Sequence, residues 1–140
     1  GHMYYKDLSF LENMTKLKYL ILVDARYTDI SVLANMPDLY YLEIFKNEIQ
    51  DLSPLLECKN LKHLNIGYTR GFDAGVLKEM TWLKNLWMVE CRSAARYRMP
   101  QALPDTNVMI VGAATVANGW RDLDNYYKMR DLLGMGYMSW

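Results

Sequence analysis

Cysteine is scarce in this chain: Cys58 and Cys91 are the only two in 140 residues. Two thiols are too few for the disulfide framework of a small secreted scaffold. Both read as reduced core residues, the usual place of a free cysteine. Neither sign of charge is in excess, since 16 basic residues are matched by 16 acidic ones. That balance argues against a broad phosphate-binding surface, which needs a basic stripe, while leaving room for a small local patch. No apolar run is long enough for a membrane-spanning helix, so no membrane insertion is expected. Histidine is nearly missing: His63 is the only one outside Gly1-His2-Met3, a tripeptide that looks like a cloning scar. Beside such a scar, the lack of a signal peptide says little about compartment. With one histidine, a catalytic triad would need an unusual base, and no nucleophile elbow, G-x-G-x-x-G or P-loop occurs.

What the chain does have is a period. Asp7, Asp29, Asp51 and Asp73 fall at steps of 22, as do Leu17, Leu39, Leu61 and Leu83, and Leu20, Leu42, Leu64 and Leu86. Leu22 is followed in its column by Ile44, Ile66 and Met88. Several columns at one period point to a solenoid, in which each unit buries its leucines only against its neighbours. Half of the residues are hydrophobic, enough for one domain with a continuous core.

One unit shows how a coil is built. Leu39-x-x-Leu42-x-Ile44-x-x-Asn47-x-Ile49 alternates inward leucines with outward Tyr41, Glu43 and Phe45, the period of a short strand. Asn47 ends the strand. Asp51-Leu52-Ser53-Pro54 then starts a helical return, with Ser53 suited to the N-cap and Pro54 to the first helical position, running to Cys58. The aspartate column is expected to accept backbone N–H bonds at these starts rather than to form a calcium ladder, which needs several converging oxygens.

The pattern L-x-x-L-x-L-x-x-N-x-I resembles the leucine-rich repeat, in its 22-residue bacterial, internalin-like form, over roughly residues 4 to 92. The resemblance implies an α/β solenoid: a short curved array with a parallel sheet on the concave face, short helical or 3₁₀ turns on the convex face, and a C-terminal capping segment. It implies that Asn47 hydrogen-bonds neighbouring turns. It also slightly favours a secreted or cell-surface setting, with the cytoplasm left open.

The asparagine column reads Ala25, Asn47, Thr69 and Cys91, so only one amide survives and irregular coils are expected after Thr69, in a stretch that also carries Gly67, Gly71 and Gly75. Residues 4–14 match only the second half of a unit, which favours an array continuing upstream over a compact cap. The expected divisions are the scar at 1–3, a partial unit and about four repeats over 4–104, and a C-terminal strand and capping helix over 105–140. In the last part, Asn107 to Val111 reads as a strand. A helix over about 124–133 follows, N-capped by Asp122 or Asp124 and closed by Gly134. Trp120 and Tyr126 would cover the last coil. Met14, Met36 and Met80 share a core column.

The strand register yields the outward positions. They are Tyr19, Ile21 and Val23; Tyr41, Glu43 and Phe45; His63, Asn65 and Gly67; and Asn85, Trp87 and Val89. Asp24, Lys46, Tyr68 and Glu90 flank them. Exposed aromatics on adjacent strands mark a binding surface; alternatively, they merely suit strands or are covered by a terminal segment. The expected partner is a protein or peptide, bound through Tyr19, Ile21, Tyr41, Glu43, Phe45, Lys46, His63, Asn65, Tyr68 and Trp87. No nucleic acid, cofactor or metal is expected: His63 faces the concave side while Cys58 closes the far return, and zinc needs about four convergent ligands. Arg92, Arg96, Tyr97 and Arg98 read as a solvated loop. The alternatives are a structural spacer within a larger bacterial surface protein and a carbohydrate-binding surface. An open repeat end would allow a homodimer.

Overall fold

A computed structural model describes residues 8–22, 26–44, 46–88, 90–91 and 98–109. Five three-residue strands, β1 (Tyr19–Ile21), β2 (Tyr41–Glu43), β3 (His63–Asn65), β4 (Asn85–Trp87) and β5 (Asn107–Met109), form one parallel sheet in chain order. Every neighbouring pair is in register at a step of 22: Tyr41 lies beside Tyr19, His63 beside Tyr41, Asn85 beside His63 and Asn107 beside Asn85. The period therefore continues into β5, although Asp105 stands where the first leucine column would place its next residue.

Strands this short follow from the unit length, since out-and-back travel in 22 residues leaves little chain for the sheet. The middle residue of each strand points into the core. Leu42, Leu64 and Leu86 are fully buried, with Leu39, Leu61, Ile44, Ile66 and Met88 packed around them. Cys58 and Cys91 are free and buried, as expected. Met36 and Met80 belong to the core, but Met14 is 47% exposed. Its column-mates have a coil stacked on either side, whereas Met14 belongs to the first described coil.

The return segments are 3₁₀ turns at Ser9–Leu11, Ser31–Asn35 and Ser53–Glu57, then helix α1 (Ala74–Glu79) and a short helix α2 (Met99–Ala102). The aspartate column starts them. Asp29, Asp51 and Asp73 each accept, through Oδ1, the backbone N–H two residues on, from Ser31, Ser53 and Gly75 at 2.8, 2.9 and 2.8 Å. This corrects the expected cap in the second unit: Ser53 is the donor to Asp51 and already lies inside the turn. A carboxylate placed two residues earlier offers a stronger acceptor than a serine hydroxyl.

The asparagine column is less degraded than its residue types suggest. Asn47 Nδ2 donates to the Leu22 carbonyl at 2.8 Å, and Oδ1 accepts from the Tyr27 N–H at 3.1 Å. Thr69 Oγ1 and Cys91 Sγ donate to Ile44 and Ile66 carbonyls at 3.4 and 3.1 Å, again 25 residues upstream. Threonine and cysteine keep the arm that reaches the carbonyl 25 residues upstream. Among the described residues after Thr69 the sheet keeps its register, and on the return side α1 replaces a 3₁₀ turn.

Residues 1–7, Val23, Asp24, Phe45, Val89, the cluster Arg92, Arg96 and Tyr97, and the whole of 110–140 with the expected capping helix lie outside the described residues.

Candidate functional site

The register sets Tyr41, His63 and Asn85 in one row on the sheet face opposite the leucines, with Trp87 two residues further along β4. Tyr41, His63 and Trp87 come from three adjacent strands, and their rings meet. Centroids are 6.1 Å apart for Tyr41 and His63, 6.4 Å for His63 and Trp87, and 6.5 Å for Tyr41 and Trp87. Tyr41 and Trp87 are two strands apart, so contact between them requires the side chains to converge, as they do on the inner side of a curve.

Polar groups complete this cluster. The Tyr41 hydroxyl donates to Glu43 Oε1, its neighbour on the same strand face. Asn85 Nδ2 lies 2.9 Å from His63 Nδ1, and His63 Nε2 lies 3.3 Å from the Tyr40 hydroxyl. With the Asn85 amide donating to Nδ1, the imidazole carries its proton on Nε2 and directs it to Tyr40. Burial, and secondarily the Lys84 charge, hold the His63 pKa down at about 4, so the ring is neutral at physiological pH. Asn65 Oδ1 accepts from the Gly67 N–H at 2.9 Å, while its Nδ2 is buried without a hydrogen-bond partner among the described residues.

The cluster is not an exposed surface. Tyr41, Glu43, His63, Asn65 and Trp87 are each at most 2% exposed. The expectation that these five face solvent is therefore corrected: each is buried, and ring contacts and hydrogen bonds tie Tyr41, Glu43, His63 and Trp87 to one another or to their neighbours. Of the other expected residues, Tyr19 and Ile21 are half-buried, Tyr68 is half-buried, Lys46 is exposed, and Phe45 lies outside the described residues.

Sequence reading missed Tyr40. It packs edge-on against Tyr19 at 6.3 Å and against His63 at 5.1 Å, linking the half-exposed edge to the buried cluster. Its column reads Lys18, Tyr40, Lys62 and Lys84, and a lone aromatic among lysines was the available signal. Lys18, Tyr19, Asp38, Tyr40, Asn60 and Lys62 line an open groove of about 420 Å³ at the start of the strands. Trp82, on the other side, donates its Nε1–H to the Cys58 carbonyl at 3.0 Å, with Lys59 Nζ 4.0 Å above its ring.

Cys58 Sγ donates to the Leu33 carbonyl at 3.2 Å, and burial raises its pKa to about 11, so it is a thiol and not a nucleophile. Among the described residues, no group of three or more His, Cys, Asp or Glu side chains could hold a metal ion. No helix among them is long and apolar enough to cross a membrane.

No protein-family model matches the chain. None of the curated proteins matches it either. Solved structures do. An internalin (InlF) from Listeria monocytogenes strain 4b F2365 is 26% identical with a TM-score of 0.62, the match covering 78% of this chain and 33% of that one. Internalin C2 (InlC2) from the same strain is 24% identical with a TM-score of 0.64, covering 79% of this chain and 50% of that one. The chain thus spans a third to a half of the length of these structures. Five parallel strands at a 22-residue step, returns by short helical turns, and these neighbours together make the fold an internalin-like leucine-rich repeat solenoid.

Proposed function

We propose that the chain is a non-enzymatic recognition module for a protein or peptide. It would engage its partner at the half-exposed tyrosine edge, with Tyr19, Tyr40 and Ile21 as anchors and Lys18 and Lys62 beside them. The observation that carries this reading is the Tyr19–Tyr40 pair lining an open groove. Tyrosines supply large contact area with few rotatable bonds and a polar tip, which makes them frequent interface anchors. The likeness to internalin repeats supports a binding role in general terms. Tyr41, Glu43, His63, Asn65 and Trp87 support the edge from beneath instead of touching the partner.

The test is a random-peptide display selection on the immobilised protein, repeated with Tyr19→Ala/Tyr40→Ala. Enriched peptides should bind the double variant about tenfold more weakly or worse, as expected when hot-spot tyrosines are truncated, with its melting temperature within a few degrees of the parent. Peptides that bind the variant equally well, or no enrichment over a scrambled library, would sink the reading.

The spacer reading also has an observation in its favour, because burial of the Tyr41–His63–Trp87 cluster makes it a structural element. It expects Trp87→Ala to lower stability and the tyrosine edge to select nothing. Carbohydrate binding loses its main support, since Trp87 is buried and Lys59 sits over Trp82.

A further inference from the structure

The strand ends carry a second surface of different chemistry. Arg26, Lys46, Asn47, Glu48, Tyr68 and Arg70 line an open groove of about 340 Å³. Arg26, Glu48 and Arg70 occupy one column at steps of 22, and Lys46 and Tyr68 another, so the groove crosses three successive coils. Its charged lining is three cations against the single carboxylate of Glu48, in a chain whose total charge is zero. Arg26, Lys46, Glu48 and Arg70 are exposed.

The backbone beneath these side chains is unusual. Arg26, Lys46 and Tyr68 have φ of +55°, +56° and +59°, and Glu90, next in the column of Lys46 and Tyr68, has +57°, the left-handed region that non-glycine residues avoid. Such residues persist only where the surroundings over-determine them. Here the determinants are visible. Lys46 N–H donates to the Gly67 carbonyl at 3.0 Å and Glu48 N–H to the Tyr27 carbonyl at 3.2 Å, while Asn47 bridges Leu22 and Tyr27. The groove floor is therefore fixed before any partner arrives, which lowers the ordering cost of binding.

We propose that this groove is a docking site for a carboxylate-rich, extended segment of a protein partner. Arg26 and Arg70 lie two coils apart, about 10 Å at a strand spacing of about 4.8 Å. A polyproline-II segment advances about 3.1 Å per residue with about three residues per turn, so carboxylates three residues apart lie on one face at about that separation. The guanidinium fork pairs with a carboxylate through two parallel hydrogen bonds. Tyr68 adds a half-buried ring for the intervening side chains. A nucleic acid fits less well: the patch is short, Glu48 stands in its middle, and no basic stripe extends it along the described surface. The groove shares no lining residue with the Tyr19–Tyr40 edge. The proposal shares with that edge only the view that the chain recognises proteins, and it can fail or hold separately.

The probe is a short fluorescein-labelled peptide of Glu-Ala-Ala repeats, followed by fluorescence anisotropy. Saturable binding that weakens as salt rises is expected. Arg26→Ala/Arg70→Ala should lose about tenfold or more in affinity, the scale of two charge-assisted contacts. Glu48→Gln should gain severalfold, and Lys78→Ala and Tyr19→Ala/Tyr40→Ala should match the parent. Circular dichroism melts keep the comparison to folded protein, and Arg26→Gln/Arg70→Gln, which retains polar side chains, must show the same loss. The proposal is overturned by an absence of saturable binding, or by equal affinity in the arginine variants. It is overturned equally if inorganic phosphate or a single-stranded oligonucleotide binds more tightly and displaces the peptide.

Discussion

Asn85 and His63, one step apart in the repeat and adjacent in register, are joined side chain to side chain at 2.9 Å, and this pairing fixes the only described histidine as a neutral ring. Protonating Nδ1 would set two donors against each other and charge a buried ring that Lys84 already repels. The folded pKa, about 4, is below the ordinary value of 6.5. Between those values the unfolded chain binds more protons, so stability is complete above about pH 6.5 and declines as pH falls toward 4. The full shift corresponds to roughly 3 kcal/mol as an upper figure. Urea unfolding of the parent and His63→Gln at pH 7 and pH 5 measures it. The parent should lose more stability than the variant on acidification, and parallel losses would show that other groups set the acid sensitivity.

The bridge made by Asn47 leads to a second expectation. Truncation would leave the Leu22 carbonyl and Tyr27 N–H buried and unmade, at a cost of about 1–3 kcal/mol each before relaxation. Asn47→Ala should therefore destabilise by about 2–4 kcal/mol in chemical denaturation. Thr69→Ala removes a single 3.4 Å bond and should cost clearly less. Equal costs would mean that the second arm, to Tyr27, contributes nothing.

Asp73 and Gly75 provide a cycle. Asp73 N-caps α1 through the Gly75 N–H, and a Cβ built on Gly75 would lie 3.0 Å from Asp73 Oδ1. Replacing glycine by alanine inside a helix ordinarily gains about 1 kcal/mol, but here it must push the cap aside. Gly75→Ala alone should gain little or nothing. Asp73→Ala alone should cost about 1 kcal/mol. In the Asp73→Ala background, Gly75→Ala should recover its ordinary gain. Thermal melts of the four proteins decide it, and strict additivity would refute the clash.

Much of this architecture was legible because a solenoid writes its contacts into columns. Leu42, Leu64 and Leu86 announced the core, and Asp29, Asp51 and Asp73 announced the turn starts. What was hidden depends on geometry between coils. A period of two says which face Tyr41 and Trp87 share, but not that rings from strands two apart come into contact and lie out of solvent. Tyr40 was missed because it precedes the strand and so lies outside the alternation. The persistence of the Thr69 and Cys91 bridges was missed because residue type suggested loss, while the fixed 25-residue offset preserved a donor at the right place. Of the basic groove only Lys46 and Tyr68 were anticipated, because its cations come from two columns and three coils, with no run in the sequence.

The column logic also predicts unequal costs for one substitution repeated along the array. Leu64 is fully buried with a coil packed on each side, whereas Leu20, on the edge strand β1, is only partly buried. Removing a buried leucine side chain costs about 2–5 kcal/mol, with the cavity term growing where neighbours cannot collapse. Leu64→Ala should fall in the upper part of that range, because rigid strands on both sides hold the cavity open. Leu20→Ala should cost about half as much or less, since it loses less buried area and leaves a space open on one side. Denaturation midpoints for the two variants, at matched m-values, give the ratio. If Leu20→Ala proved as costly as Leu64→Ala, β1 would be packed on both sides like an internal strand, and its place as an edge strand among the described residues would have to be abandoned.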